Sequence, residues 1–281
     1  MEIFRTVAEL RKWSRAVRSQ TGNTVGLVPT MGALHAGHAS LIRAARASCS
    51  RVAVSIFVNP TQFGPNEDFS RYPRTFDADC ALAEAEGADV IFAPTVEELY
   101  PEGAATFVDV EGLGNRLDGA SRPGHFRGVA TVVAKLLIAA EPDRAYFGQK
   151  DAAQVAVVRR MAADLCVATQ IVVCPIVRES DGLALSSRNL YLNPVERSQA
   201  LALSRSILEV KALIASGERR AVTLIQAARQ TLAAEPQIRV DHIALVDWST
   251  LEPLEVAAPG TLFAVAAWVG STRLIDNTIL E

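Results

Sequence analysis

Short runs of apolar and β-branched residues alternate with helical patterns from residue 24 to about residue 176, and this alternation constrains the fold more than any other feature. The strand-like runs are TVGLV, RVAVSIFV, ADVIFAP, RAYFG and TQIVVCPIV. The segments ASLIRAARASC, DADCALAEAEG, RGVATVVAKLLIAA and DAAQVAVVRRMAADL lie between them and carry helical patterns. Alternation of this kind predicts an α/β fold, a Rossmann-like doubly wound parallel sheet with helices on both faces.

The pattern changes after residue 176. A polar loop, RESDGLALSSRN, is followed by an Ala/Leu-rich helical stretch from Pro194 to about Ala234 and by the strand-like pieces VDHIALVD, TLFAVAAWV and RLIDNTIL. We therefore predict an N-terminal domain over residues 1–176 and a smaller α+β C-terminal domain over residues 177–281, hinged near Val177 to Asp181. A chain of 281 residues is long enough for two domains.

The charge and the apolar runs exclude several classes of protein. A net charge of -3 gives no basic field that would attract nucleic acid or an anionic membrane. Glu2, Arg5 and Glu9 interrupt the apolar core that a signal peptide needs, and no apolar run approaches the roughly 20 residues of a membrane span. We expect a cytoplasmic protein with no nucleic-acid or membrane partner.

Two further predictions concern buried residues. The apolar residues of the N-terminal segment fall on one helical face, which carries Ile3, Val7, Leu10, Trp13 and Val17.

The cysteines show no C-x-x-C spacing and stand in apolar surroundings, so we expect small buried hydrophobic residues rather than metal ligands. They are Cys49, Cys80, Cys166 and Cys174.

Three polar or glycine-rich segments directly follow predicted strands. They are PTMGALHAGH, NPTQFGPNEDFSRYPR and GQKDAAQ. Ligands of doubly wound sheets bind beyond the carboxyl ends of the strands, so we expect the three segments to converge on one crevice. Neither G-x-G-x-x-G nor G-x-x-x-x-G-K-[ST] occurs, which disfavours a dinucleotide oxidoreductase and a P-loop kinase.

The first of these segments contains His35 and His38, half of the histidines in the chain. Gly32 and Gly37 allow a ligand close to the backbone, and His38 falls in the first turn of the next predicted helix, where free N–H groups attract anions. This predicts a phosphate-binding corner. The alternatives are packing roles for the two rings, or a zinc site with His125 as third ligand. The flanking glycines suit a polyphosphate better than a metal ion.

H-x-G-H at this position is similar to the signature of the nucleotidyltransferase superfamily. The strings PTMGALHAGH, SIFVNPTQFGPNEDFSRYPRT, GASRPGHFRGVATVV, FGQKDAAQ, DGLALSSRNLYL and AAWVGSTRLIDN together resemble the pantoate-β-alanine ligase family over nearly the whole chain. The resemblance implies ATP-dependent condensation of (R)-pantoate with β-alanine to pantothenate, AMP and diphosphate through pantoyl adenylate, a step of coenzyme A biosynthesis. It also implies a homodimer, and Mg²⁺ held mainly through the ATP phosphates.

The resemblance implies an ATP site assembled from several segments. It comprises Met31, Gly32, His35, Gly37, His38, Gly148, Lys150, Asp151, Val177, Leu185, Ser186, Ser187 and Arg188. The family role of proton donor falls on His38, which we expect to act with His35 mainly by stabilising the α-phosphate and the leaving group. A helix N-terminus favours neutral imidazole and so disfavours a full positive charge on His38.

Lys150 and Arg188 complete the expected catalytic set. Lys150 is a movable cation suited to phosphates, and Asp151 can orient it or help to hold a ribose or Mg²⁺; the alternative is a solvated lysine at a helix start. By resemblance, residues 186–188 take the place of a second, mobile phosphate-binding loop, although S-S-R-N alone is typical of a polar turn. Their position predicts that the C-terminal domain closes over ATP as a lid.

The acid and the amine also have candidate residues. The family uses Gln62 and Gln154 for pantoate, and Asn59 is expected to shape the same pocket. Phe63 either covers the dimethyl carbon of pantoate or packs in the core.

A basic segment, SRPGHFRG, is the candidate for the remaining anionic group. Its basic residues are Arg122, His125 and Arg127. They form a site for an anion, which is the β-alanine carboxylate or diphosphate, or they belong to a solvated loop without a ligand. Two rival functions remain open: a related adenylyltransferase that acts on another acceptor, and a catalytically silent nucleotide-binding regulator. The segment NPTQF and the C-terminal domain argue against the adenylyltransferase. The silent regulator is disfavoured because His35, His38, Lys150 and Arg188 are all present.

Overall fold

The computed structural model describes residues 1–65 and 67–280. Its strands are β1 (Glu2–Phe4), β2 (Val25–Thr30), β3 (Arg51–Ile56), β4 (Val90–Phe92), β5 (Arg144–Gly148), β6 (Gln170–Cys174), β7 (Ile238–Asp247), β8 (Thr261–Val269) and β9 (Thr272–Ile279). Its α-helices are α1 (Val7–Arg18), α2 (Ala36–Ser48), α3 (Phe76–Ala85), α4 (Val96–Leu99), α5 (Asp118–Ser121), α6 (His125–Ala140), α7 (Ala152–Asp164), α8 (Pro194–Ala215) and α9 (Ala221–Ala233). Short 3₁₀ helices cover Pro60–Gln62, Leu113–Asn115, Gln149–Asp151 and Ser187–Tyr191.

The first six strands form one parallel sheet in the order β1-β4-β3-β2-β5-β6, which confirms the predicted α/β architecture. Successive side chains of a strand point to opposite faces. Leu27 therefore packs in the apolar cluster with α6 and α7, while Val28 packs in the cluster with α2. Strand β2 lies between β3 and β5, so the winding of the chain reverses beside it. Ligand crevices of doubly wound sheets form at this reversal.

The end of β2 differs from the sequence prediction. The predicted run TVGLV stops at Val28, before Pro29, but β2 continues in parallel register with β3 as far as Thr30. The Thr30 hydroxyl donates a hydrogen bond to the Ser55 carbonyl at 2.6 Å, and the Thr30 N–H contacts the Ser55 hydroxyl at 3.3 Å. These two contacts hold the strand in place beyond the proline, which has no N–H of its own.

Three other predictions need correction. The helical stretch from Pro194 is two helices, because the chain turns at Gly217 with a φ of +98°, a conformation that glycine adopts readily. Ile3 does not share a helical face with Val7 and Leu10, because it lies in β1 and is exposed. Cys166 is exposed rather than buried, since it follows α7 in a turn.

The C-terminal strands form an antiparallel sheet in the order β7-β8-β9, next to α8 and α9. The predicted smaller α+β region is therefore present. Part of β8 packs elsewhere, since Leu262 and Ala264 belong to the apolar cluster that contains α6 and α7. The boundary at residue 176 stays a prediction. Within residues 1–65 and 67–280, each helix is too short or too polar to cross a bilayer.

Candidate active site

A cavity lies beyond the carboxyl ends of β2 and β5, and the three polar segments converge on it as predicted. The predicted residues that line it are Met31, His35, Gly37, His38, Asn59, Gln62, Gly148, Lys150, Asp151, Gln154, Val177, Leu185, Ser186, Ser187 and Arg188. Residues that the sequence did not single out also line it: Tyr72 and an apolar wall of α6 made by Val129, Val132, Val133 and Leu136. The cavity thus combines cationic, neutral polar and apolar surfaces.

The two histidines are fixed by backbone hydrogen bonds at the start of α2. His35 caps the helix, and its Nδ1 accepts a hydrogen bond from the Gly37 N–H at 3.1 Å. The Nδ1 of His38 accepts one from the His35 N–H at 3.3 Å. The ring centroids are 4.2 Å apart. Because both Nδ1 atoms are acceptors, the proton of each neutral ring is on Nε2, so each ring is left with an N–H donor for a ligand.

Burial keeps both rings neutral at physiological pH. Desolvation, reinforced by the positive charge of Lys150, lowers the pKa of His35 to about 4. Deeper burial, together with His35 and Lys150, lowers the pKa of His38 to about 3. The arrangement can therefore donate hydrogen bonds to a phosphate without carrying charge on the imidazoles.

Asp79 holds the turn that leads into the histidines, and sequence analysis missed it. Its carboxylate accepts hydrogen bonds from the N–H groups of Ala33 and Leu34 at 2.9 and 2.8 Å, and its side chain is buried. Gly32 and Ala33 both have a positive φ, of 81° and 50°. Gly32 does not line the cavity; a Cβ there would lie 3.0 Å from Asp79 Oδ2. A single aspartate in a helix carries no sequence signal for this long-range role.

The cations of the cavity have acidic neighbours. Lys150 Nζ lies 3.4 Å from Asp151 Oδ1, and an orienting role for this carboxylate stays a prediction. Arg188 forms two hydrogen bonds of 3.0 Å with the carboxylate of Asp68. The Ser187 hydroxyl contacts the Ala33 carbonyl at 3.5 Å. The loop at residues 186–188 therefore reaches across to both segments that follow β2 and β3.

Asn59 and Gln62 form a hydrogen-bonded corner of the same cavity. The Asn59 amide donates to the Gln62 Oε1 at 3.2 Å and to the Gly128 carbonyl at 3.1 Å. The Gln62 Nε2 contacts the sulfur of Met31 at 2.8 Å. The Tyr100 hydroxyl donates to Asn59 Oδ1 at 2.9 Å. The orientation of the Gln62 amide is thus set by its neighbours before any ligand binds.

The predicted basic segment does not present free charge to the cavity. Arg122 makes two hydrogen bonds with Glu67 at 2.7 and 2.6 Å, and its Nη1 donates to His125 Nε2 at 2.9 Å. His125 Nδ1 donates to the Gln62 carbonyl at 2.8 Å. Burial and then Arg122 lower the pKa of His125 to about 4. Arg122 and His125 line a smaller cavity that adjoins the first and shares Lys150 and Gln154 with it.

Two further candidates, Arg127 and Phe63, line neither of these two cavities. The Arg127 guanidinium stacks over Phe107, with its carbon 4.0 Å from the ring centroid. Phe63 packs against Phe69 and Tyr72, which agrees with the packing alternative for this residue. In the described part of the chain, histidine, cysteine and acidic side chains form no group of three that could hold a metal ion, so the zinc alternative with His125 finds no geometric support.

Comparison with known proteins decides the family. A family model described as Pantoate-beta-alanine ligase matches residues 2–279. The chain belongs to this family. A pantothenate synthetase from Acidobacterium capsulatum is 59% identical over 282 residues, which cover 99% of this chain and 94% of the relative. A relative of the same name from Koribacter versatilis is 55% identical over 281 residues, covering 100% of this chain and 96% of the relative.

Solved structures of the ligase family match the whole fold. Pantothenate synthetase from Thermus thermophilus superposes with a TM-score of 0.93 at 48% identity, covering 99% of both chains. The ligase from Francisella tularensis, complexed with β-γ ATP and β-alanine, gives a TM-score of 0.81 at 33% identity, covering 99% of this chain and 97% of the other. These likenesses extend over both the parallel and the antiparallel sheet.

Proposed function

We propose that the protein is an ATP-dependent ligase that condenses (R)-pantoate with β-alanine to pantothenate, AMP and diphosphate through pantoyl adenylate. One observation carries the proposal. In a chain of this ligase family, two imidazole N–H donors, Lys150 and the loop at residues 186–188 face the same cavity as Gln62 and Gln154. Donors for a polyphosphate and neutral amides for a hydroxy acid therefore lie side by side.

The first step joins the carboxylate of pantoate to the α-phosphate of ATP. A carboxylate oxygen attacks the phosphorus, the bond to the bridging oxygen breaks, and diphosphate leaves with the electron pair. Negative charge develops on the phosphate oxygens, so the chain contributes donors rather than a nucleophile. The Nε2–H groups of His35 and His38 and the ammonium of Lys150 suit that charge. We call His35, His38, Lys150, Ser186, Ser187 and Arg188 the phosphate grip.

The second step transfers the pantoyl group to β-alanine. The amine attacks the activated carbonyl, the amine loses a proton, and AMP leaves. Gln62 and Gln154 line the cavity and would hold the acid in both steps, and the apolar wall of α6 suits its dimethyl carbon. Arg122 and His125 contribute by holding the Gln62 carbonyl, and the adjoining cavity that they line provides room for the amine.

The lid role of residues 177–281 belongs to the same proposal. Support comes from Ser187 and Arg188, which contact Ala33 and Asp68 across the cavity. The guanidinium of Arg188 can exchange the carboxylate of Asp68 for diphosphate oxygens, since both offer two acceptors to the same planar group. Closure over the cavity would keep water from the acyl adenylate.

Mg²⁺ fits this cavity as a companion of ATP. Among the described residues that line it, Asp151 provides the one carboxylate, and its side chain is half exposed beside Lys150. Mg²⁺ is commonly held by one or two carboxylates together with substrate phosphates and water. Asp151 would therefore hold the ion, which would neutralise phosphate charge when bound.

We also infer a homodimer from the family. Analytical ultracentrifugation tests this inference: a mass twice the 30.1 kDa of the chain would support the dimer, and a mass equal to that of one chain would refute it.

A product assay tests the proposed function. The protein is incubated with ATP, Mg²⁺, pantoate and β-alanine, and pantothenate and AMP are quantified by mass spectrometry. The ligase releases the two in equal amounts, and only when both organic substrates are present. An adenylyltransferase would release diphosphate without AMP and would form an adenylylated acceptor. A silent regulator would bind ATP and release neither product, and either result would refute the ligase.

A further inference from the structure

The C-terminal sheet supplies a buried amide that contacts the loop of Lys150. Asn277 lies in β9, and the residue is 3% exposed. Its Nδ2 donates hydrogen bonds to the carbonyls of Gln149 and Lys150 at 3.0 and 2.9 Å. Its Oδ1 accepts one from the Gln149 Nε2 at 3.2 Å. The full hydrogen-bonding capacity of the Asn277 amide nitrogen is therefore used on the segment that carries the lysine.

The preceding residue contacts the other loop of the phosphate grip. Asp276 is 2% exposed and accepts hydrogen bonds from both terminal nitrogens of Arg178, at 2.7 and 2.8 Å. Arg178 also donates to the Gly182 carbonyl at 3.0 Å. Arg178 pairs with Ala184 in an antiparallel bridge, so it lies at the base of the turn that leads into residues 186–188.

Two adjacent residues of β9 thus form hydrogen bonds with two different loops. Successive side chains of a strand point to opposite faces, so Asp276 and Asn277 reach different partners although they are neighbours. The Asn277 N–H also donates to Asp276 Oδ1 at 2.7 Å, which joins the two contacts. Lys150 and Arg188 are 38 positions apart in sequence, and this dipeptide is a common support for the segments that carry them.

We propose that Asp276 and Asn277 are positioning residues for the phosphate grip, and that they hold Lys150 and residues 186–188 in a fixed relative position for adenylyl transfer. The inference rests on the proposed function for its catalytic part. Neither side chain lines the cavity beside the histidines, although Asp276 lines the adjoining smaller cavity. The hydrogen bonds of each side chain go to the loop that it holds. A displacement of about 1 Å at reacting groups can cost about 100-fold in rate, so a support of this kind has a measurable effect.

The test compares three variants. Asn277→Ala removes the amide, and Asp276→Asn removes the charge that pairs with Arg178 while keeping the shape of the side chain. Thr169→Ala is the matched control, because Thr169 is also buried and its hydroxyl donates to the Pro142 carbonyl at 2.7 Å, at the amino end of β6 and away from the cavity. Circular dichroism and denaturant unfolding check that each variant is folded.

The first measurement is amide hydrogen exchange, which does not depend on the proposed activity. Asn277→Ala is expected to speed exchange in residues 149–153, and Asp276→Asn in residues 178–188, while Thr169→Ala changes neither segment. Unchanged exchange in both segments would overturn the proposal, even if the variants were inactive. If Asn277→Ala does not fold, Asp276→Asn decides the matter by the same criterion.

The second measurement separates binding from chemistry. For both site variants we expect the turnover number to fall by about 10- to 100-fold with the KM for ATP changed much less, because the contacts orient the lysine and the loop rather than bind the nucleotide. Equal turnover in Asn277→Ala, Asp276→Asn and Thr169→Ala would show a structural role alone. If the wild-type protein forms no pantothenate, the proposed function fails, and the exchange measurement still tests the positioning role.

Discussion

The His38 Nδ1 accepts a hydrogen bond from the backbone N–H of His35 at 3.3 Å, so the backbone of one histidine fixes the tautomer of the other. The His35 ring is fixed in the same way by Gly37. Both rings can thus donate from Nε2 while neutral. This relationship explains how two histidines at a helix N-terminus can donate hydrogen bonds to an anion without carrying a positive charge.

Titration of the rings follows from this geometry. With a pKa of about 4 for His35 and about 3 for His38, both rings should stay neutral, with the proton on Nε2, at every pH above about 5. Two-dimensional ¹⁵N–¹H NMR of the imidazoles measures both the tautomer and the midpoint. A midpoint near 6.5 for either ring would contradict the assignment of neutral donors.

Stability should depend on pH through the same groups. The pKa values of His35, His38 and His125 are lowered by folding, so between about pH 4 and 6.5 the unfolded chain binds more protons than the folded one. The free energy of unfolding therefore falls as the pH is lowered through this window. Urea unfolding from pH 7 to 4.5 measures the slope, and His38→Gln should make it shallower. An identical slope in this variant would show that His38 is not buried neutral.

Asp79 should be essential to the turn before α2. Asp79→Ala leaves the N–H groups of Ala33 and Leu34 without their acceptor, and each such loss costs about 1–3 kcal/mol. We expect about 3 kcal/mol lower stability and slower pantothenate formation. Asp77→Ala is the control, since Asp77 lies in the same helical turn but is exposed. Equal unfolding midpoints for the two variants would contradict this role.

Gly128 allows α6 to approach the segment of Asn59 and Gln62. A Cβ at this position would lie 2.3 Å from the Thr61 carbonyl oxygen, so Gly128→Ala must displace the backbone. We expect the KM for pantoate to rise by about tenfold and the protein to lose about 1–3 kcal/mol, the usual cost of overpacking. The control is Gly64→Ala, where the nearest atom would be 3.6 Å away. An unchanged KM in Gly128→Ala would show that this contact does not shape the pocket.

The sequence predicted what local patterns encode. Strands β2 to β9, the longer helices and the convergence of three loops follow from periodicity and from the geometry of parallel sheets, and His35, His38 and Lys150 lie in those loops. It did not reveal Asp79 or Asn277, because each acts on backbone groups more than 40 positions away and has no characteristic spacing. The break after α8 was missed because one turn residue, Gly217, decides it, and the end of β2 was misplaced because pairing with β3 extends the strand.

The neutralised basic segment illustrates the same limit. Arg122 and His125 are basic in sequence, but the structure pairs Arg122 with Glu67 and buries His125 against Gln62. Their partners come from a loop about 60 residues earlier, and their charge cannot be judged without it. Long-range pairing thus gives Arg122 an acidic partner and His125 a backbone acceptor, and anion binding by these residues stays a prediction.

The exchange of labelled diphosphate into ATP tests the central claim most directly, because it reports reversal of the first step alone. With Mg²⁺ and pantoate, and without β-alanine, the label should enter ATP, and it should not do so when pantoate is omitted. His38→Ala and Lys150→Ala should each lower the rate by about 10²–10³-fold while folded, the scale for loss of a transition-state donor. Folded wild-type protein that gives no pantoate-dependent exchange would contradict the adenylate mechanism, and near-wild-type rates in both variants would move the chemistry away from the phosphate grip.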